Sequence, residues 1–308
     1  MEPLFSHPDL AIRYSLTMAL PDSTAAANVL SKYRRSGAAA AAKAHGDRPQ
    51  SETKAAAFFD VDNTIMRGAS LFHFASGLAK MKYFSGREIW GFGVKQLKFV
   101  LSGSEDPEDV ASATEAALAF VQGRNVEELI RLGELVFDQN MVDKLIPGSL
   151  ALAQKHLDAG QEVWLVTATP VELAEILARR LGLTGALGTV AESHNGIYTG
   201  RLDGYPLHGL AKAEAVRALA VSEGLDLSQC SAYSDSSNDV PMLSSVGHPT
   251  AVNPDSELRS YAREMGWNIA DFRRRAHVRE YALLASSAAS GIALGLAAGY
   301  LFGRLARR

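Results

Sequence analysis

The chain has 308 residues, 47% of them hydrophobic, enough for one large domain with a substantial core or for two smaller ones. Its formal net charge of −3 excludes the strongly basic field of a general nucleic-acid binder. The single cysteine, Cys230, excludes an internal disulfide; in its apolar run it reads as a small core residue and fits a reducing compartment.

Asp9, Arg13 and Asp22 interrupt any apolar stretch near the N-terminus, so no signal peptide is read there. Residues 31–54 mix an alanine run, Ala38 to Ala42, with Lys, Arg, Gly and Pro. Residues 1–54 therefore read as a tail and linker, partly helical.

The apolar run Ala55 to Phe59 reads as a short buried strand and leads into Asp60-Val61-Asp62-Asn63-Thr64. In a strand, residues i and i+2 share a side, so Asp60 and Asp62 are expected to emerge together. The ends of such strands are where open α/β sheets bind ligands. Two adjacent carboxylates repel unless a cation or a reaction needs them. The bare pair also suits a loop of two solvated acids.

From Ile65 to about Ile146 the pattern is helical. Phe72, Phe74, Leu78, Met81, Tyr83 and Phe84 form one apolar stretch. Leu118, Val121, Leu129, Leu132, Leu135 and Val136 follow at mostly helical spacing. Residues 67–146 thus read as a helical insertion.

Beyond Pro147 the pattern predicts a helix over 149–159, a strand over 162–166 and a helix over 171–181. The runs 189–194 and 197–202 flank Asn195-Gly196, a strong type I′ hairpin signal. A helix over 210–223, a strand over 230–234 and the short run 250–252 complete the series. Such alternation indicates a doubly wound parallel α/β sheet, split here between residues 55–66 and 147–272.

Polar groups recur where these elements meet. Thr167 and Thr169 follow a strand and precede a helix, which suits either an anion site or a helix cap. Lys212 lies in the first turn of its helix, where a cation opposes the helix dipole and calls for a compensating anion; alone, it also reads as a solvated lysine. Asp235 and Asp239 follow another strand, and with Asp60 they offer hard oxygen ligands suited to Mg²⁺.

Tyr281 to Gly303 carries no charge over about 23 residues, enough to cross a ~30 Å hydrocarbon layer. Arg273, Arg274, Arg275 and Arg279 precede it, which favours keeping the main domain cytoplasmic; Arg304, Arg307 and Arg308 follow. Gly291, Gly295, Gly299 and Gly303 share one helix face, the spacing of close helix pairing in membranes, so a single-pass anchor and a homodimer through that stripe are expected. The alternative is a helix packed on a soluble domain, or a frayed Ala/Gly tail.

Taken in order, Asp60-x-Asp62-x-Thr64, Thr167, Lys212 and Asp235-x-x-x-Asp239 resemble the haloacid dehalogenase-like superfamily over about residues 55–272. The insertion directly after the first motif resembles that superfamily's helical cap of the first type. The hairpin at Asn195-Gly196, with Tyr198-Thr199-Gly200, resembles its phosphoserine-phosphatase-related branch, subfamily IB.

The resemblance implies a role for each matching residue. Asp60 would attack phosphorus and form an aspartyl phosphate. Asp62 would protonate the leaving oxygen and then activate water. Asp60, the backbone carbonyl of Asp62, and Asp235 would hold Mg²⁺, with Asp239 supporting the metal site and Lys212. Thr64, Thr167 and Lys212 would serve the phosphoryl group, and Asn238 would touch phosphate or attacking water. Arg67, just beyond the first motif, would meet a second anionic group or face solvent.

One departure stands out. Phosphoserine phosphatases carry a glutamate near the start of the cap that recognises the substrate's amino group. Here Ala69 and Ser70 occupy that place, and no acid occurs from Asn63 through Arg87. The expected activity is therefore Mg²⁺-dependent phosphomonoester hydrolysis on a lipid or lipid-precursor phosphate at the cytoplasmic face of a membrane. The alternatives are a soluble, phosphoserine-like phosphatase of small metabolites and a non-catalytic regulator that binds a phosphorylated ligand.

Overall fold

The computed structural model describes residues 23–44, 54–81 and 121–272. The chain divides into two compact units, Met1–Ile269 and Ala270–Arg308. The apolar stretch 281–303, with its glycine stripe, lies outside the described residues. Among the described residues no helix is long and apolar enough to cross a membrane.

A six-stranded sheet runs in the order β3-β2-β1-β6-β7-β8. Its strands are β1 (Ala56–Phe59), β2 (Glu162–Pro170), β3 (Gly185–Thr189), β6 (Ser231–Ser234), β7 (His248–Val252) and β8 (Asn268–Ala270). β1 pairs in parallel with both β2 and β6, β2 with β3, and β6 with β7. All four β1 residues are buried, as expected for a central strand covered on both faces.

Helices cover both faces. Phe58 points into a core shared with Trp164, Val166 and Leu187 and with Ala211, Val216 and Leu219 of helix α6 (Leu210–Glu223). Phe59 points the other way and stacks on Tyr233, ring centroids 4.2 Å apart. His156 of helix α4 (Pro147–Asp158) meets both rings edge-on. Complete burial of such aromatic and aliphatic side chains contributes about 1.5–3 kcal/mol each.

Residues 23–44, read from the sequence as tail and linker, instead form helix α1 (Ser23–Ala44). Its alanine face, with Ala40, Ala41 and Ala44, joins the core beside α6. A tyrosine-bearing loop is fastened to the same helix: Tyr205 N donates to Ser36 Oγ at 2.6 Å, and Arg35 pairs with Asp203 at 3.1 Å.

The hairpin forms as read, from β4 (Ala191–His194) and β5 (Ile197–Leu202). Asn195 and Gly196 both take positive φ, 51° and 75°, as a type I′ turn requires. The sequence reading lacked three elements. β3 carries two glycines and gives a weak strand signal. Helix α8 (Ser256–Glu264) and β8 follow the last run that was assigned. α8 is capped by Asp255, which accepts from Leu258 N at 2.7 Å.

The segment between β1 and α4 leaves and returns through a short two-stranded stem. Met66 bridges Leu145 in antiparallel fashion, Arg67 N donates to Lys144 O, and Ile146 N donates to Ile65 O, both at 2.8 Å. Beyond the stem lie α2 (Ser70–Lys80) and α3 (Val126–Asn140), which pack on each other. Gly77 makes this close approach workable, since a Cβ there would stand 2.4 Å from Val136 Cγ1. α3 in turn packs on helix α5 (Val171–Arg180).

Candidate active site

The strand order reverses between β1 and β6, and open α/β sheets form their ligand crevices at such switch points. Asp60 and Asp235 follow these two strands. Asp60 N extends the pairing by donating to Tyr233 O at 2.9 Å. β1 ends at Phe59, so the shared-side argument is not what brings Asp60 and Asp62 together. A tight turn does so: Asn63 takes φ 58°, and Ile65 N and Met66 N both donate to Val61 O.

Lys212 stands at the centre. Its Nζ donates to Asp60 Oδ1 at 2.6 Å and to Asp239 Oδ2 at 2.7 Å, with all three side chains buried. Asp239 Oδ2 also accepts from Ser234 Oγ at 2.7 Å. The compensating anion called for by a lysine in the first turn of α6 is thus a pair of protein carboxylates. Gly209, the N-cap of α6, takes φ 54° and directs the helix so that Lys212 points inward.

Burial pushes the Asp60 carboxyl up to about 7 even against the pull of Lys212. Burial also favours the neutral amine of Lys212, but Asp239 and Asp60 outweigh it and hold the ammonium above its ordinary range. Asp62 keeps some exposure, yet desolvation raises its carboxyl, opposed by hydrogen bonds from Ser70.

The remaining expected residues are placed unevenly. Thr64 is fully buried, and its hydroxyl donates to Asp235 Oδ1 at 3.3 Å, tying the β1 and β6 loops together instead of facing outward. Thr167 is buried; its hydroxyl accepts from Thr169 N at 3.1 Å, a side-chain turn. Neither threonine caps α5, whose N-cap is Pro170 with no side-chain cap. Asn238 Nδ2 donates to Ser236 Oγ at 3.4 Å within its own turn. Arg67 is exposed and engages through its backbone; its carbonyl accepts from His73 Nε2 at 2.8 Å.

Three residues escaped the sequence reading. Ser234 and Asp255 both brace the β6 loop. Asp255 N donates to Asp235 O, and the Asp255 carboxylate accepts from Ser237 N at 2.7 Å. Ser70 N donates to Asp62 Oδ1 at 2.8 Å. Beside the cluster lies a depression of about 350 Å³, open to solvent. Val61, Ser70, Phe74, Phe137, Thr167 and Thr169 help to line it, and none of its described lining residues is charged.

Residues 57–244 match the haloacid dehalogenase-like hydrolase family. The chain belongs to that family. It is a hydrolase of the family's phosphatase type. Phosphoserine phosphatase SerB1 of Mycobacterium tuberculosis is 56% identical over 260 residues, covering 83% of this chain and 84% of that protein. The Inhibition of morphological differentiation protein of Streptomyces azureus is 36% identical, covering 74% of this chain and 82% of its own length. A crystal structure of a protein of unknown function from Bordetella pertussis Tohama I superposes with TM-score 0.63 at 29% identity, covering 71% of this chain and 99% of that one.

Among the described residues, no three His, Cys, Asp or Glu side chains cluster as a metal site. The set expected in this hydrolase is smaller: two carboxylates, Asp60 and Asp235, and the Asp62 carbonyl. Hard oxygens of that kind suit Mg²⁺, which commonly keeps water and substrate oxygens in its remaining positions. The Thr64–Asp235 bond and the β1–β6 pairing hold these donors at the same end of the sheet, so the residues present fit the ion.

Proposed function

We propose that the chain is a Mg²⁺-dependent phosphomonoester phosphatase working through an aspartyl phosphate on Asp60. The observation that carries this reading is Lys212 Nζ bridging Asp60 and Asp239, which gathers three distant segments into one buried site. When bound, Mg²⁺ supplies positive charge that offsets the phosphoryl oxygens.

In the first step an Asp60 carboxylate oxygen forms a bond to phosphorus as the bond to the ester oxygen breaks. Asp62 passes its proton to that departing oxygen. In the second step water attacks phosphorus, Asp62 takes up the proton, and Asp60 is released with orthophosphate. Lys212 and Thr167 steady the phosphoryl charge, while Asp239 and Ser234 hold Lys212. Thr64 serves by fixing Asp235. Residues 67–146 form the cap over this site, and 55–66 with 147–272 form the core.

For the substrate, similarity to a protein named phosphoserine phosphatase supports a small, phosphoserine-like phosphomonoester. The lipid phosphate expected from the apolar tail draws no support from the relatives or from the described residues. Ala69 leaves its position without a carboxylate, so recognition of an amino group falls to other residues. The test is orthophosphate release from amino-acid, sugar, nucleotide and lipid phosphates with Mg²⁺, by wild type and Asp60→Asn. Turnover of small phosphomonoesters by wild type alone is expected. Equal turnover by Asp60→Asn would refute the covalent route.

A further inference from the structure

Ser70 opens α2 and belongs to none of the motifs that drew attention to the site. It is buried, and its backbone N–H donates to Asp62 Oδ1 at 2.8 Å. Its hydroxyl lies 2.6 Å from the hydroxyl of Thr169, a residue 99 positions away and also buried. Thr169 Oγ1 accepts from Thr167 Oγ1 at 3.2 Å, and Thr167 Oγ1 accepts from Thr169 N. A chain of hydroxyls thus runs from the residue placed at the phosphoryl group to the first turn of α2, and from there to Asp62.

From this geometry we infer that the Ser70–Thr169 bridge is a positioning device for the proton that Asp62 delivers. The inference rests on the proposed role of Asp62. A carboxyl that donates a proton must carry it on the oxygen facing the ester. The Ser70 N–H fixes Asp62 Oδ1 as an acceptor and so leaves the proton to the other oxygen. The N–H can do this only while the first turn of α2 stays in place. The N-cap of α2, Ala69, makes no side-chain cap, so no capping side chain secures that turn. The hydroxyl bridge to β2 does so instead. Hydrogen-bonded hydroxyls in a buried chain also polarise one another.

The test uses leaving-group dependence. p-Nitrophenolate departs without a proton, whereas an alkoxide needs one. kcat/KM reads the steps through departure of the leaving group, so it isolates proton delivery from the later attack of water. The readout is the ratio of kcat/KM for p-nitrophenyl phosphate to that for glycerol phosphate. A loss common to both esters, such as displacement of Thr167, cancels in that ratio.

Ser70→Ala and Thr169→Val are expected to raise the ratio about tenfold, below the 10²–10⁴ of a complete acid catalyst. Thr169→Ser, which keeps the hydroxyl, is expected to restore it. An unchanged ratio in the folded variants would overturn the inference. Asp62→Asn, measured alongside, separates two failures. A raised ratio for Asp62→Asn but not for Ser70→Ala sinks the positioning role alone. A ratio unmoved by Asp62→Asn sinks the acid assignment, and the inference with it.

Discussion

A Cβ added at Gly37 of α1 would stand 2.6 Å from the amide nitrogen of Ala215 in α6. The two helices touch backbone to backbone, three residues from Lys212. Gly37→Val must push α1 away and strip cover from Ala40, Ala41 and Ala44. Overpacking of this kind costs about 1–3 kcal/mol. Urea unfolding should show that loss, and turnover should fall with it as the helix carrying Lys212 shifts. Unchanged stability would mean that α1 is not seated on α6 in solution.

Magnesium affinity should depend on pH through Asp60. Its folded carboxyl, held near 7 by burial, lies above the ordinary value, so in metal-free protein its stabilising contribution is complete at low pH and is lost as pH rises through 7. A metal ligand must be ionised, so Mg²⁺ binding should weaken by about tenfold per unit below pH 7. Thermal melts with Mg²⁺ or EDTA from pH 5 to 8 should show stabilisation by the metal growing with pH. A Mg²⁺ effect that is flat across that range would exclude Asp60 as a ligand.

Glu172 offers a separate pH test away from the chemistry. It is buried in the first turn of α5, with Lys43 of α1 at 3.9 Å. Its Oε2 has no hydrogen-bond partner. Burial raises its carboxyl, so the folded state favours the protonated form, and the benefit is lost as pH climbs through the folded value. Glu172→Gln removes the buried charge. The variant should melt higher than wild type at pH 8 and equal to it at pH 4. Equal melting at both would show the carboxylate to be solvated.

Ala69→Glu should shift substrate preference. The change restores a carboxylate where phosphoserine phosphatases use one to hold the substrate's amino group. Relative to glycerol phosphate, kcat/KM for phosphoserine should rise about tenfold, because an ammonium gains a charged partner. No gain, with phosphoserine already well turned over by wild type, would show that another residue holds the ammonium.

The site was legible where short motifs carry chemistry and obscure where contacts span distant segments. Asp60, Lys212 and Asp239 could be picked out because each stands at an element terminus in a charge pattern that needs explaining. Ser70 could not: nothing local marks a serine whose partner lies 99 residues away. Thr64 was found, but its direction was not, because the 171-residue reach to Asp235 exists only in the folded chain. In the fold, Leu210–Glu223 emerged with the bounds expected for it. α1 was obscured because its buried face is alanine, whose small side chain gives little amphipathic contrast. β3 was obscured because Gly185 and Gly188 lack β propensity; a Cβ at Gly188 would meet the backbone of Val171 at 2.5 Å.

The stem of Met66, Arg67, Lys144 and Leu145 makes the segment beyond it a detachable module. The polypeptide departs and returns through neighbouring hydrogen-bonded positions, so the sheet registers of β1 and β2 do not depend on what is hung between them. Selection can therefore exchange or lengthen that module, and alter which esters are admitted, while the reacting aspartates stay where they are.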